Sequence, residues 1–286
     1  MNAVLRTSAP TPLPALLSPA HLAGSLWRHR DLIRQFSWRM FVARSKGTQL
    51  GVLWSLAFPL TQLAVYVVVF TYVFKMRAWD GRELSGPLEF SVILFCGMIG
   101  YTAFAESVSR SCGLVVDNPN LVKKVVFPLE VLPVAALLSS LLYAAAGLVL
   151  VLFGSAFLLH GLSWWSLAFP LVLLPLAALS MGLGWLVAAL SVFLRDTGNV
   201  TGIVVGQILF YLTPILYAPS QLPEEFRAVA ALNPLAPVVE GARRTLLFGR
   251  PPDWPGLGWA LLASLVVMQL GYAFFMKSKR GFADVL

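Results

Sequence analysis

The sequence predicts an all-α integral membrane protein with six transmembrane helices, an N-terminal amphipathic interface helix, and re-entrant helices between spans five and six. Three observations predict it. The chain is 58% hydrophobic with a mean hydropathy of +0.78. Only 12% of its residues are charged, roughly half the soluble average of about 25%. Its charges are separated by uncharged runs long enough to cross a bilayer, which takes about 20 apolar residues. A soluble domain of 286 residues could not cover so much apolar surface. A β-barrel would show short alternating segments in place of these runs.

Residues 1–24 read as a Pro-rich N-terminal extension and 25–286 as one transmembrane domain. The extension lacks a basic start followed by an apolar core, so no cleavable signal peptide is expected. Residues 21–46 read as a helix on the membrane surface. Leu22, Leu26, Ile33, Phe36 and Met40 fall near one helical face, Arg30, Arg34 and Arg44 suit anionic headgroups, and Trp27 and Trp38 suit the interface. Span one is expected at about 51–74 and span two at 89–109. No charge interrupts Val131 to Leu194, which is too long for one helix. It reads as a hairpin of spans 130–159 and 167–194, broken at His160-Gly161-Leu162-Ser163-Trp164-Trp165. Gly182, Gly184, Ala188 and Ala189 offer close helix packing within it. Spans five and six follow at 199–218 and 257–276.

Orientation follows from the cations. With the N-terminus inside, fourteen of the 21 lysines and arginines fall on inner segments, including Arg28, Arg44, Arg110, Lys123, Arg195 and Lys279. The outer segments carry the other seven, Arg243 and Arg244 among them. The positive-inside rule therefore places both termini in the cytoplasm. It also accounts for the net charge of +8 as a topology signal; nucleic acid binding would need a clustered basic face.

Two segments between spans have a specific form. In Asp117–Pro128, Asn118 can cap a helix, Pro119 fits its first position, and Pro128 ends it. About two turns along the membrane surface are expected, able to dock on a cytoplasmic partner or simply to close a turn. Tyr217–Arg250 contains Pro219, Pro223, Pro234 and Pro237. It reads as two short helices, Glu224–Leu232 and Pro237–Leu247, that dip into the membrane, where irregular backbone survives only if protein or water covers it. A plain external loop is the alternative.

Enzyme chemistry finds little footing. No phosphate-binding glycine loop is present. His21, His29 and His160 lack metal-ligand spacing, no catalytic triad can be assembled, and Cys96 and Cys112 read as packing residues. Thus no catalytic residue and no metal site is expected. Glu106 and Glu130 are the near-membrane acids, suited either to helix-end solvation or to function.

Four stretches in this order resemble the membrane subunit of type-2 ABC exporters, in the polysaccharide-exporting permease family of O-antigen and teichoic-acid exporters. They are Arg44 to Pro59 with Leu50-Gly51-Val52-Leu53-Trp54; Asn118-Pro119 through Lys123-Lys124-Val125-Val126-Phe127-Pro128-Leu129-Glu130-Val131-Leu132-Pro133; Phe193-Leu194-Arg195-Asp196 with Tyr211-Leu212-Thr213-Pro214-Ile215-Leu216-Tyr217; and Asn233-Pro234-Leu235 with Arg243-Arg244. The resemblance implies a homodimer in the bacterial inner membrane that works with two cytoplasmic ATPase subunits. The ATP and Mg would sit on those partners, and this chain would hold no cofactor. Asn118, Pro119, Asn120, Leu121, Val122, Lys123, Lys124 and Phe127 would form the coupling helix. A polyprenyl-diphosphate-linked polysaccharide would pass between the two permeases. Trp54, Tyr66, Tyr72, Tyr101, Phe104, Phe210 and Tyr211 are candidate lining, because sugars stack on aromatic faces. Pro214, Tyr217, Asn233 and Pro234 are the candidate outer gate. A type-2 permease for a small lipophilic drug or lipid is the alternative cargo class.

Overall fold

The computed structural model describes residues 18–44, 46, 49, 51–74, 78–84, 86–123, 127–159, 161 and 163–286, without the side chains of residues 52, 71, 82, 87, 228 and 229. Residues 1–17 of the predicted extension, Lys124 of the predicted coupling helix and His160 of the hairpin break lie outside the described residues.

The N-terminal amphipathic stretch forms two helices instead of one, α1 (Pro19–Arg28) and α2 (Arg30–Ala43). They part at His29, whose Nδ1 donates to the Ser25 carbonyl at 2.9 Å. Leu22 and Ile33 are buried, and Leu26, Phe36 and Met40 pack on the same cluster. The apolar face expected to rest on lipid thus seats on the helical bundle. An apolar stripe is satisfied by any apolar surface within reach, and the bundle supplies one. Trp27 and Trp38 stay exposed, with the Arg30 guanidinium 5.2 Å above the Trp27 ring.

Helix α3 (Trp54–Tyr66) follows a 3-10 turn at Gly51–Leu53 and continues as a π-helical stretch over Val67–Val73. A two-residue hairpin joins β1 (Ala78–Trp79) to β2 (Arg82–Glu83), pairing Trp79 with Arg82. Its corner, Asp80 and Gly81, has φ of 50° and 77°, the left-handed pair that a tight hairpin needs. Next come α4 (Pro87–Ser111), the single turn α5 (Pro119–Val122) and α6 (Val131–Leu158). The hairpin break falls where expected: Gly161 takes φ +81°, and a 3-10 turn at Trp164–Ala168 leads into α7 (Phe169–Phe193). The fifth apolar segment is α8 (Thr197–Ile203), a π-helical turn at Val204–Ile208, and α9 (Leu209–Leu212). Then come α10 (Glu224–Leu232), α11 (Leu235–Leu246), α12 (Trp254–Ser278) and the terminal turn α13 (Phe282–Val285).

Among the described residues four helices are long and apolar enough to cross a membrane: Leu88–Ser111, Val131–Leu158, Trp164–Phe193 and Trp254–Val285. The first and fifth predicted spans form shorter apolar helices, Trp54–Phe70 and Thr197–Leu212. Span five was expected to reach residue 218, but regular helix stops at Leu212 and Thr213 turns extended. Pro214 cannot continue the ladder and disfavours helix in the residue before it.

Three apolar clusters stack along the bundle. One holds Leu22, Ile33, Leu114, Leu132, Trp185, Tyr272 and Phe282; the middle one Tyr101, Phe104, Leu176 and Val238; the third Trp79, Phe90, Phe95 and Leu246. The first cluster gathers the segments carrying Arg28, Arg34, Arg110, Lys123 and Lys277, so the predicted inner segments share one end, called here the basic end. Helices α7 and α12 cross closest at glycine. A Cβ on Gly182 would meet Met268 Cα at 2.6 Å, and one on Gly271 would run into the Gly182 carbonyl oxygen. Ala188 and Ala189 are fully buried nearby.

Gly271→Ala should therefore destabilise the detergent-solubilised protein by at least the usual overpacking cost of about 1–3 kcal/mol. Gly258→Ala on the same helix meets nothing within 4 Å and should leave the melting temperature unchanged or higher. Differential scanning fluorimetry of the two variants checks this.

Candidate functional site

At the end opposite the basic one, the chain from Thr213 to Ala218 runs without helix between α9 and a short 3-10 turn. Its backbone groups need partners: Arg243 donates to two of its carbonyls and Gln221 Oε1 accepts the Ala218 N–H at 3.1 Å, while Asn233 holds the Thr213 side chain. Asn233, which ends α10, donates through Nδ2 to Thr213 Oγ1 at 2.8 Å, while its Oδ1 accepts the Leu235 N–H at 3.0 Å. Arg243 of α11 is fully buried. Its Nη1 and Nη2 donate to the Pro214 and Ile215 carbonyls, each at 2.6 Å, and its Nε donates to the Ile93 carbonyl of α4 at 3.2 Å. Glu240 lies 3.6 Å from the guanidinium, and the Trp79 ring is 4.5 Å from its carbon. On α4, Gly97 makes the room: a Cβ there would sit 2.5 Å from Arg243 Nη2. The structure thus brings Pro214, Asn233 and Pro234 to one place. Tyr217 is beside them, its hydroxyl donating to the Tyr211 carbonyl at 2.9 Å.

Arg243, one of the seven cations on outer segments, is fully buried, which charge counting alone does not reveal. The sequence does hold a signal for it. Val239 and Leu246 lie four residues before and three after, so Arg243 falls on the apolar face of α11.

The segment Asn118–Phe127 lies at the basic end. Only one turn, Pro119–Val122, is helical among its described residues. Asn118 precedes that turn without capping it; its Nδ2 reaches back to the Leu114 carbonyl at 3.0 Å and ties the turn to the end of α4. Leu121, Val122 and Phe127 pack on the first apolar cluster, and Phe127 meets Phe36 of α2 at 5.5 Å between ring centres. Asn118, Asn120 and Lys123 are exposed and Pro119 half-buried. The outward face of the segment is therefore polar and narrower than the full predicted set.

The seven candidate aromatics divide. Tyr101 and Phe104 lie inside the helical bundle, in the middle cluster, so neither presents a face to a passage along its surface. Tyr101 donates its hydroxyl to the Val205 carbonyl, in the π-helical turn of the fifth segment; such a turn shifts the regular ladder and leaves groups to satisfy. Phe210 is half-buried, edge-on to both Tyr101 and Tyr211 at 5.4 and 5.2 Å. Trp54, Tyr72 and Tyr211 are exposed, and Tyr66 is half-buried with its hydroxyl accepting from Gln62 at 3.1 Å.

Near the basic end, between α3, α4 and α6, a cleft of about 320 Å³ is lined by Arg44, Gln62, Thr102, Glu106 and Tyr143. Glu106 accepts Arg44 at 2.7 Å, with Arg110 3.9 Å away, and the Arg44 guanidinium sits 4.1 Å over Tyr143. The near-membrane acids are both ion-paired, since Glu130 holds Lys279 at 2.8 Å. Neither pairing is legible from spacing, because each joins residues far apart in the chain. Among the described residues no group of three or more His, Cys, Asp or Glu could hold a metal ion.

A family model described as ABC-2 type transporter matches residues 31–247. The chain is 27% identical over 259 residues to the O-antigen export system permease protein RfbA of Klebsiella pneumoniae, covering 90% of this chain and 95% of that one. It is 26% identical over 265 residues to the protein of the same name from Myxococcus xanthus, covering 92% and 98%. The polysialic acid transport protein KpsM of Escherichia coli is 24% identical over 236 residues, covering 79% and 85%.

Replacing Arg243 by Met should destabilise the protein by about 3–5 kcal/mol, the usual cost of breaking a buried charged network. Lys should not rescue it, because one ammonium cannot span three carbonyls. The thermal midpoint in detergent reads this, and an Asn233→Cys reporter should gain thiol reactivity in the Arg243→Met background.

Proposed function

The chain belongs to the ABC-2 type transporter family, and we propose from that premise that it is the permease subunit of an ATP-driven exporter of a lipid-linked, O-antigen-like polysaccharide. The observation that carries the reading is end-to-end similarity to O-antigen export permeases, over at least 90% of this chain and 95% of theirs. The lipid carrier is a polyprenyl diphosphate, and the route runs from the cytoplasm outward across the bacterial inner membrane.

Two copies form the pathway, each crossing six times with both termini in the cytoplasm. The four long helices make the protomer's rigid body, and the shorter Trp54–Phe70 and Thr197–Leu212 segments complete the spans at its margin. The exposed faces of Trp54, Tyr72 and Tyr211 line the passage, with Tyr66 and Phe210 behind them. Tyr101 and Phe104 support that surface from within the protomer. Helices α10 and α11 form the re-entrant outer element, with Pro214, Tyr217, Asn233 and Pro234 at its gate. Helices α1 and α2 lie along the inner membrane surface, their exposed tryptophans and arginines toward lipid headgroups. Two ATPase subunits bind ATP and Mg and press on the outward face of Asn118–Phe127. Chemistry is left to them; this chain supplies a passage and a moving surface.

Deleting the gene should abolish surface glycan while lipid-linked polymer accumulates inside the cell, as glycan blotting of intact cells and of lipid extracts will show. Normal surface glycan in the deletion strain would refute the cargo. Asn120→Cys should crosslink to the ATPase subunit, whereas crosslinks found only at the C-terminal tail would refute the coupling role. In spheroplasts an impermeant maleimide should label Glu225→Cys directly and Lys123→Cys only after permeabilisation.

A further inference from the structure

The chain before and after Asn118–Phe127 meets one place on α7. A Cβ on Gly184 would meet Ser111 Oγ at 3.0 Å and Pro133 Cβ at 3.3 Å, so α7 touches both the end of α4 and the first turn of α6. The adjacent Trp185, fully buried, donates its Nε1–H to the Glu130 carbonyl at 2.9 Å. Its ring also meets Tyr272 of α12 edge-on at 5.2 Å. The Glu130 carboxylate takes Lys279 Nζ at 2.8 Å, just beyond the end of α12, with side chains only 7% and 28% exposed. Past Lys279 the chain is anchored by Phe282, fully buried against Phe193 and Phe275. Glu130 is therefore held through its main chain to α7 and through its side chain to the end of α12, three residues after Phe127.

We infer that the Glu130–Lys279 pair, together with the Trp185 hydrogen bond, is the positioning device through which displacement of Asn118–Phe127 reaches α7 and α12. This rests on the reading above that the segment is where the ATPase presses. The physical argument is one of cost. Glu130 sits among Val131, Leu132, Tyr272 and Phe275, all buried in the same apolar cluster or beside it. Stretching the pair would strand a carboxylate in surroundings that solvate it poorly. Sharing the displacement keeps the charges together, so α12 follows the start of α6. Lys279 and Glu130 work here as a tie; neither touches the transported polymer.

The double variant Glu130→Gln/Lys279→Met removes both charges and strands neither. Three quantities decide the matter: surface glycan of the complemented deletion strain, ATP hydrolysis by the purified complex, and the Asn120→Cys crosslink to the ATPase. In the double variant, hydrolysis and the crosslink should persist while surface glycan per ATP hydrolysed falls at least about fivefold, within the range of ordinary coupling energies. The swapped variant Glu130→Lys/Lys279→Glu should recover a large part of it. Unchanged glycan per ATP with the crosslink intact overturns the inference. So does an equal fall in hydrolysis and glycan accompanied by a lower melting temperature, which marks a purely structural pair. Absence of the crosslink in the parent protein refutes the underlying coupling reading instead.

Discussion

A guanidinium with no exposure, set among apolar helices, is the constraint on which the far end of this protein depends. Arg243 carries five N–H groups and a charge that burial makes costly. Its surroundings answer with three carbonyls, a carboxylate and an indole face. Two of those carbonyls, on Pro214 and Ile215, belong to backbone that Pro214 has taken out of helix. The arginine and the irregular strand solve each other's problem: one needs acceptors, the other needs donors. The result ties α4, the end of the fifth segment and α11 into one block.

That block meets a bundle whose helices differ in character. The hairpin α6–α7 and the helix α12 are joined by close backbone approach at Gly182 and Gly271, where packing alone can hold helices in an apolar solvent. Helix α3 and the fifth segment are different. Each contains a π-helical stretch, and each leaves much of its apolar surface uncovered, including Trp54, Tyr72, Val200, Ile208 and Tyr211. A closely packed centre with two loosely covered apolar margins suits a membrane protein of the ABC-2 type transporter family. The Tyr101 hydroxyl on the Val205 carbonyl links centre to margin.

The basic end is organised by pairs of a different kind. Arg44 with Glu106 and Lys279 with Glu130 each connect a peripheral element to the start or end of a long helix. At the same end lies the polar turn at Asn118–Lys123, whose Leu121 and Val122 pack inward and whose Asn118, Asn120 and Lys123 are exposed.

Run length and charge spacing determined the long helices, the hairpin break at Gly161 and the side shared by the basic segments, because these are local properties of composition and period. The prolines and Asn233 marked the irregular stretch after the fifth segment for the same reason: Pro214 forbids helix wherever it stands. The apolar stripe of residues 22–40 was equally legible, but its partner was not. Periodicity says that a face will be buried and is silent about whether lipid or protein buries it. Arg243 looked like one more outer cation, and Tyr101 and Phe104 like surface aromatics. Glu106 and Glu130 suited helix-end solvation and function equally. Only the tertiary structure decided these, since each depends on a neighbour brought from far along the chain, and a buried charge takes its meaning from the partner that makes burial bearable.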